Sequence, residues 1–323
     1  MMNYILRRFL YMIPLMILIS ILSFTVIKLQ PGEFGSQYFS NPRVSPETVE
    51  NLRARLGLNQ PAYMQYFTWV KGIVTEGDFG YSFAYKRPVS ELIWERLGWT
   101  VVVAGSTILF TWGLAIPIGI FSATHKYSIF DYVFTFVGFL GISVPNFFMA
   151  LLLMYLVLSF GGTEVGGLFS QEYIGAPWSI AKFIDLLKHI WIPLIAIGTA
   201  GMAGILRQMR GNLLDILGEQ YVQTARAKGL NENIVIYKHA VRNAINPLIS
   251  MFGMQLPKLI SGTIISAIVL NLPTMGPFFY DALINQDQYL VMTFLMFSAF
   301  MMLIGNLIAD ILLAMVDPRI RLD

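Results

Sequence analysis

Residues 9–29 read FLYMIPLMILISILSFTVIKL, and Lys28 is the only charged side chain in this run of 21 residues. An α-helix rises about 1.5 Å per residue, so a run of this length spans about 31 Å, the thickness of the hydrocarbon layer of a bilayer. A cleaved signal peptide has an apolar region of only about 7–15 residues. We therefore expect this segment to be retained as a transmembrane helix.

Five further segments are long and apolar enough to cross a membrane, namely residues 99–121, 129–160, 190–206, 247–270 and 291–316. The composition of the 323-residue chain agrees, because 56% of its residues are hydrophobic, only 13% are charged, and the mean hydropathy is +0.62. The sequence thus predicts an all-α polytopic membrane protein with six transmembrane helices. We expect the third helix to be kinked at Pro145-Asn146, since proline interrupts helical hydrogen bonding.

The basic residues predict the orientation of these helices. Arg7 and Arg8 precede the first one, which by the positive-inside rule places the amino terminus in the cytoplasm. The 207–246 loop carries six Lys or Arg against three acidic residues and falls inside, whereas the 271–290 loop has no Lys or Arg and falls outside. Six crossings then return the carboxyl terminus to the cytoplasm, so that we expect both termini there.

The spans divide the chain into three parts. Residues 1–30 hold the amino terminus and the first helix, residues 31–98 form a long extracytoplasmic loop, and residues 99–323 form a core with five transmembrane helices. Proline suits the first turn of a helix, and the prolines that predict helices within the long loop are Pro46, Pro61 and Pro88. A folded loop of this kind serves either as a cap on the helix bundle or as a docking surface for a soluble partner.

The chain lacks the residues that several classes of chemistry need. The chain has no cysteine and three scattered histidines, which excludes thiolate metal sites and cysteine nucleophiles. It also contains no Gly-Lys dipeptide, so it has no phosphate-binding loop of the Walker type. Its net charge of +3 is small and dispersed, which argues against nucleic acid as a partner. We therefore expect a protein that is not an enzyme and does not bind ATP or any other cofactor itself.

Ionisable residues within the predicted spans leave a second functional class open. Lys258 lies in the fifth span and Asp310 in the sixth. Such residues form either a structural pair or a relay that couples transport to an ion gradient. A secondary transporter or channel is accordingly the alternative from a different class.

The most specific pattern lies in the cytoplasmic loop 207–246. Residues 218–230 read GEQYVQTARAKGL, which predicts a short helix closed by Gly229, because glycine adopts the left-handed conformation at low cost. A second helical limb follows as far as residues 242–244, and Pro247 comes shortly after. Two short helices joined at a glycine would project from the membrane as a compact element, or they could be an ordinary surface loop.

This loop resembles the ATPase-coupling loop of permeases of binding-protein-dependent ABC importers. The resemblance rests on Tyr-Val-x-Thr-Ala-Arg-Ala-Lys-Gly-Leu at 221–230 and on His239-Ala240-x-Arg242-Asn243-Ala244. Further matches lie across nearly the whole chain, at Arg7-Arg8, Leu56-Gly57-Leu58, Gly77-Asp78, Pro88-Val89 and Asp317-Pro318-Arg319. The chain is most similar to the B-type permease of the dipeptide, oligopeptide and nickel importers.

The resemblance implies the type I importer permease fold and a set of partners in the inner membrane of a prokaryote. The partners would be a C-type permease, two ATPase subunits that bind ATP and magnesium, an extracytoplasmic solute-binding protein, and the surrounding membrane lipids. The residues that it assigns to the ATPase contact are Gln223, Thr224, Ala225, Arg226, Ala227, Lys228, Gly229 and Leu230.

The cargo is less defined by the sequence. Many relatives carry a glutamate near the end of the fifth span, where this chain has Ala267, and the loss of that carboxylate makes a neutral solute credible. Oligopeptides are the expected cargo, with cello- or manno-oligosaccharides as the alternative and nickel chelates as the least favoured class. The side chains that we expect to line the passage, or else to pack helices together, are Asn146, Gln255, Lys258, Ser261, Thr263 and Ser266.

Overall fold

The structure is a computed structural model that describes residues 2–29, 45–55, 59–162, 165–252 and 264–316. These residues are mostly helical. The helices, numbered in chain order, are α1 (Met2–Lys28), α2 (Pro46–Arg55), α3 (Ala62–Glu76), α4 (Val89–Thr124), α5 (Ile129–Ser143), α6 (Asn146–Ser159), α7 (Ile180–Leu217), α8 (Gln220–Ala227), α9 (Glu232–Ile234), α10 (Arg242–Ala244), α11 (246–252), α12 (Ile264–Val269), α13 (Met275–Ile284) and α14 (Gln288–Val316).

Within the described residues, α1, α4, α7 and α14 are each long and apolar enough to cross a membrane. Helices α5 and α6 satisfy the same criterion together, but they are bent by 105° where they meet. The count of candidate spans is therefore four, or five if the bent pair is one span. Part of the fifth predicted span, residues 253–263, lies outside the described residues.

The break between α5 and α6 is sharper than the predicted kink. Pro145 disfavours the helical conformation of the preceding residue, and Val144 is accordingly extended, with ψ 122°. Helix α5 also packs closely on α7, since a Cβ at Gly141 would lie 3.0 Å from the carbonyl oxygen of Thr199. The chain thus turns away at Pro145 while α5 stays against its neighbour.

Helix α7 is much longer than the span predicted from its apolar residues. Ser179 caps its first turn by accepting a hydrogen bond from the backbone N–H of Lys182 at 3.2 Å. Its 38 residues span about 57 Å, well beyond the thickness of the hydrocarbon layer. The last turns, which the sequence placed in a loop, therefore continue the helix as far as Leu217.

The described part of the outer loop is folded against the transmembrane helices. Helix α3 follows Pro61, and α4 begins directly after Pro88, as the prolines predict. A short antiparallel pair of strands, β1 (Tyr81–Ser82) and β2 (Arg87–Pro88), lies between them and was not predicted. One apolar cluster joins this region to α1, α13 and α14, and its members include Phe24, Trp69, Phe278 and Leu290.

An ion pair joins the first and last helices. Arg8 on α1 contacts Asp310 on α14 with an N–O distance of 2.7 Å. The sequence left open whether Asp310 meets Lys258 as a structural pair or belongs to an ion relay. The structure gives Asp310 a structural partner on another helix, while Lys258 lies outside the described residues.

Candidate functional site

The element that the sequence predicts to be cytoplasmic, residues 218–244, begins where α7 ends. Gly218 closes α7, and α8 follows as a separate helix of eight residues. Val222 and Ala225 lie on the buried side of α8, in one apolar cluster with Met209 and Leu213 of α7. Because this cluster also includes residues of α4 and α10, α8 is fixed to the membrane helices by one face.

The other face of α8 is open to its surroundings. Six of the eight residues that the resemblance assigns to the ATPase contact are exposed, namely Gln223, Thr224, Ala227, Lys228, Gly229 and Leu230. Arg226 is half-buried and Ala225 is buried within the chain. In this conformation Ala225 therefore contributes to the internal packing of α8 and not to its exposed face. Tyr221, which the sequence analysis did not single out, lies on the exposed side as well.

Gly229 makes the turn between the two limbs of the element. Its φ is +73°, in the left-handed region that glycine favours, and its backbone N–H donates to the carbonyl of Arg226 at 2.9 Å. A Cβ placed at Gly229 would meet no heavy atom within 4 Å. The requirement for glycine at this turn is thus one of backbone conformation and not of space, as the sequence predicted.

A salt bridge spans the Gly229 turn. Arg226 in the last turn of α8 donates to Glu232 in the first turn of α9, with an N–O distance of 2.7 Å. The Arg226 guanidinium holds the pKa of the Glu232 carboxyl below its usual range. Of the two cations predicted for the ATPase contact, Arg226 and Lys228, the first is therefore already paired within the chain.

The second limb is less regular than the sequence suggested. Residues Val235–Val241 form a π-helix between α9 and α10, with Val235 and Ala240 fully buried. A π-helical turn holds an extra residue and is uncommon. Two side-chain amides then fix the end of this limb, because Asn212 donates to the carbonyl of Ala244 at 3.0 Å and Asn243 donates to the Tyr221 hydroxyl at 2.8 Å.

An ion pair between Arg210 and Asp131 lies at the base of the element. We call this pair the inner clamp. Arg210 on α7 donates through two nitrogens to the carboxylate of Asp131 on α5, each at 2.8 Å. The Asp131 side chain is only 3% exposed, and it also accepts from the backbone N–H of Tyr127 at 3.0 Å. Bidentate pairs of this kind have a defined geometry. The inner clamp therefore sets the position of α7 relative to the start of α5.

A cavity of about 920 Å³ opens beside the element. Its apolar lining comes mainly from the last turns of α4 and from α5, and its polar lining includes Arg226 and Glu232. The salt bridge therefore borders open space on the side that faces the membrane helices.

The six predicted passage residues are only partly within the described chain. Asn146 is half-buried in the first turn of α6, and Ser266 on α12 is 3% exposed, in the interior of the chain. Gln255, Lys258, Ser261 and Thr263 lie outside the described residues. The helices that carry Asn146 and Ser266, α6 and α12, pack against each other, and the role of these two residues in a passage stays a prediction.

Comparison with known proteins covers almost the entire chain. Residues 115–322 match the family described as binding-protein-dependent transport system inner membrane component, and residues 1–104 match its N-terminal companion family. The oligopeptide transport system permease protein AppB of Bacillus subtilis is 39% identical over 98% of this chain and 99% of its own length. The dipeptide transport system permease protein DppB of Escherichia coli K12 is 33% identical over 99% of both chains.

Proposed function

Because this chain belongs to the family of binding-protein-dependent transport system inner membrane components, we propose that it is the B-type permease of an ATP-driven importer of oligopeptides. Membership of the family makes it a multi-pass membrane subunit for transport and not a catalytic enzyme. The observation that carries the proposal is the cytoplasmic element 218–244, which is fixed to α7 by one face and leaves the other face free for a partner.

Residues 218–244 would form a coupling loop, through which ATP hydrolysis by other subunits changes the conformation of this chain. We propose that residues 223–230 contact one of two ATPase subunits, which hold ATP and magnesium, and that a C-type permease completes the passage. A solute-binding protein would deliver cargo from the extracytoplasmic side, while both termini lie in the cytoplasm. The assembly would bind ATP more tightly in one packing of the helices than in another. ATP binding would therefore shift the helices to the first packing, and nucleotide release would return them to the second.

Helix α7 is suited to transmit that movement. It runs as one helix from residue 180 to residue 217. The buried face of α8 packs against its last turns, and the inner clamp ties the same part of α7 to α5. A shift of α8 would therefore move α7 as a rigid body instead of being absorbed by a flexible joint. Packed helices respond to such shifts by moving between discrete arrangements.

Peptides are the cargo that the relatives favour, since the names of AppB and DppB refer to oligopeptide and dipeptide transport. Oligosaccharides and nickel chelates are the other cargoes that the sequence resemblance left open. Uptake into proteoliposomes that contain this chain, its partner permease, the ATPases and the binding protein would decide between them. We expect ATP-dependent uptake of radiolabelled oligopeptides that an excess of cello-oligosaccharide does not inhibit. Inhibition by the sugar, or uptake of the sugar alone, would contradict the peptide assignment.

A further inference from the structure

The cytoplasmic half of α7 has two unlike faces. One face, which includes Ala203, Leu206, Met209 and Leu213, is buried against the neighbouring helices. The opposite face carries glycine, arginine and glutamine residues, and these residues are exposed or half-buried. We call this second face the polar face of α7 and define it as Gly204, Arg207, Gln208 and Gly211.

The polar face differs from the faces that this chain presents to lipid. On α5, the exposed side chains include Phe130 and Phe136, which are 62% and 63% exposed, as expected for a helix surrounded by hydrocarbon. Between residues 192 and 217 of α7, in contrast, no large apolar side chain is exposed. A face of a transmembrane helix that lacks apolar side chains and carries a cation is costly in lipid. It is therefore expected to face protein or water.

A cavity lies directly against the polar face. It has a volume of about 500 Å³, and its wall includes Gly201, Gly204, Arg207, Gln208, Leu248 and Met251. Cavities of about 300–1,000 Å³ accommodate small ligands. Among the described residues, a Cβ at Gly204 or at Gly211 would meet no heavy atom within 4 Å, so this part of the chain leaves room beside both glycines.

Arg207 and Arg210 lie one helical turn apart but have different surroundings. Arg210 is engaged by the carboxylate of Asp131 through two hydrogen bonds. Arg207 lies about 4.5 Å further into the membrane along α7. It is exposed, and it lines this cavity and a smaller one beside α5. Within the described part of the chain, no carboxylate forms a salt bridge with Arg207.

From these observations we propose that the polar face of α7 lines the translocation passage and that Arg207 binds the terminal carboxylate of the peptide cargo. A guanidinium matches a carboxylate through two parallel hydrogen bonds, and a passage partly shielded from water strengthens them. Every unmodified linear peptide carries one such carboxylate regardless of its side chains, so Arg207 recognises the cargo class without selecting a sequence. This inference rests on the proposed function and assigns a contact for its substrate.

Cysteine labelling tests whether the polar face lines a water-filled passage. The native chain contains no cysteine, so single-cysteine variants carry no background from other positions of this chain. In the assembled importer without nucleotide, we expect a charged, membrane-impermeant thiosulfonate to label G204C and Q208C, as measured by the mass of this subunit. The lipid-facing control F136C and the buried control L213C should stay unlabelled. Protection of both G204C and Q208C would overturn the proposal, because it would mean that a partner subunit covers this face.

Uptake measurements test the role of Arg207. R207Q should reduce uptake of a peptide with a free carboxyl terminus by about ten- to a hundredfold at low peptide concentration, the usual effect of losing hydrogen bonds to a charged group. A C-terminally amidated analogue, chosen because the wild-type importer takes it up, should be affected less than threefold. R207K, which keeps the charge but not the planar fork, should have an intermediate effect, and the exposed cation variant K126Q should behave as wild type.

The outcomes separate the two proposals. Equal loss of uptake for the free and amidated peptides in R207Q, or no loss for either, would overturn the carboxylate assignment while leaving the peptide importer in place. Failure of the wild-type importer to take up any peptide would instead overturn the proposed function, and the carboxylate assignment with it. The labelling experiment needs no transported cargo, so it tests the passage-lining face in either case.

Discussion

Gly229 is the residue on whose backbone conformation the proposed coupling loop, residues 218–244, depends most directly. With φ at +73° and free space around its Cα, a side chain there costs backbone strain and creates no clash. For a β-branched residue we expect that strain to be about 1–2 kcal/mol, enough to shift the turn and separate the Arg226–Glu232 pair. G229V should therefore uncouple ATP hydrolysis from peptide uptake while the chain still inserts in the membrane.

Peptide-stimulated ATPase activity and uptake of the reconstituted importer measure this effect. G229N is the matched control, because asparagine enters the left-handed region more readily than other side chains, and it should retain most of the coupling. Full coupling in G229V would show that the turn does not have to be rigid.

Asp287 attaches the segment between α3 and α4 to the start of the last helix, and substituting it tests this attachment. It is 1% exposed and accepts hydrogen bonds from the Ser82 hydroxyl at 2.5 Å and from the backbone N–H of Ala84 at 3.2 Å. D287A would leave both donors without a partner, at a cost of about 1–3 kcal/mol for each buried group. We expect a lower unfolding temperature in detergent, followed by tryptophan fluorescence. The exposed neighbour Asp281 provides the control D281A, for which the change should be small.

Burial also raises the pKa of Asp287. The folded protein therefore binds this proton at a higher pH than the unfolded chain does. As a result, the contribution of Asp287 to the free energy of unfolding should increase when the pH falls through the raised pKa and decrease when the pH rises again. The difference between wild type and D287N, followed from neutral to mildly acidic pH, should show this trend. An opposite trend would mean that the hydrogen bonds, and not burial, dominate.

At the scale of elements, the inner clamp connects α5 with α7. Removing one partner of a buried ion pair leaves an uncompensated charge and typically costs about 3–5 kcal/mol. Because the Arg210 side chain is 25% exposed, we expect D131A to lie near the lower end of that range. The double variant D131A/R210M should be less destabilised than D131A, since it removes the isolated charge. Thermal unfolding of the purified subunit measures the stability of D131A and of D131A/R210M. A double variant that is less stable than D131A would contradict a coupled pair.

Local signals in the sequence predicted several elements but not the contacts between them. Pro88 and Gly229 predicted where α4 begins and where α8 ends, because proline and glycine constrain the backbone at their own positions. The inner clamp joins residues 79 positions apart, and no periodic pattern contains that pairing. The long extension of α7 was missed for a related reason. Charged residues interrupt the apolar run in its last turns, and the apolar face that continues there through Met209 and Leu213 is buried in the same cluster as α8.

The same distinction applies to the candidate site. Residues 223–230 could be singled out because they form one continuous run in the motif that carries the resemblance. Six of them are exposed, and their contact with an ATPase stays a prediction. The polar face of α7 was not, since its members are spaced three or four residues apart within an apolar helix and become visible only once the opposite face is known to be buried. The π-helix at Val235–Val241 likewise has no local signal that distinguishes it from an α-helix.

At the scale of the whole molecule, the source of energy for transport separates this permease from a secondary transporter. Coupling to an ion gradient requires a group in the membrane that can take up and release an ion during the cycle. Asp131 and Asp310 are each held by an arginine of the same chain, with N–O distances of 2.8 Å and 2.7 Å. Neither carboxylate is available for such a cycle unless its ion pair breaks. These pairs therefore favour an energy source outside the chain, namely ATP hydrolysis by partner subunits.

Reconstitution of the purified chain alone tests this conclusion. Liposomes that contain only this subunit should accumulate no peptide under an imposed proton or sodium gradient, whereas addition of the partner permease, the ATPases, the binding protein and ATP should produce accumulation. D310N provides a further comparison. It should weaken the contact between α1 and α14 and lower the unfolding temperature, but it should leave the dependence of uptake on ATP unchanged. Gradient-driven accumulation by the isolated chain that D310N abolishes would instead identify Asp310 as part of an ion relay.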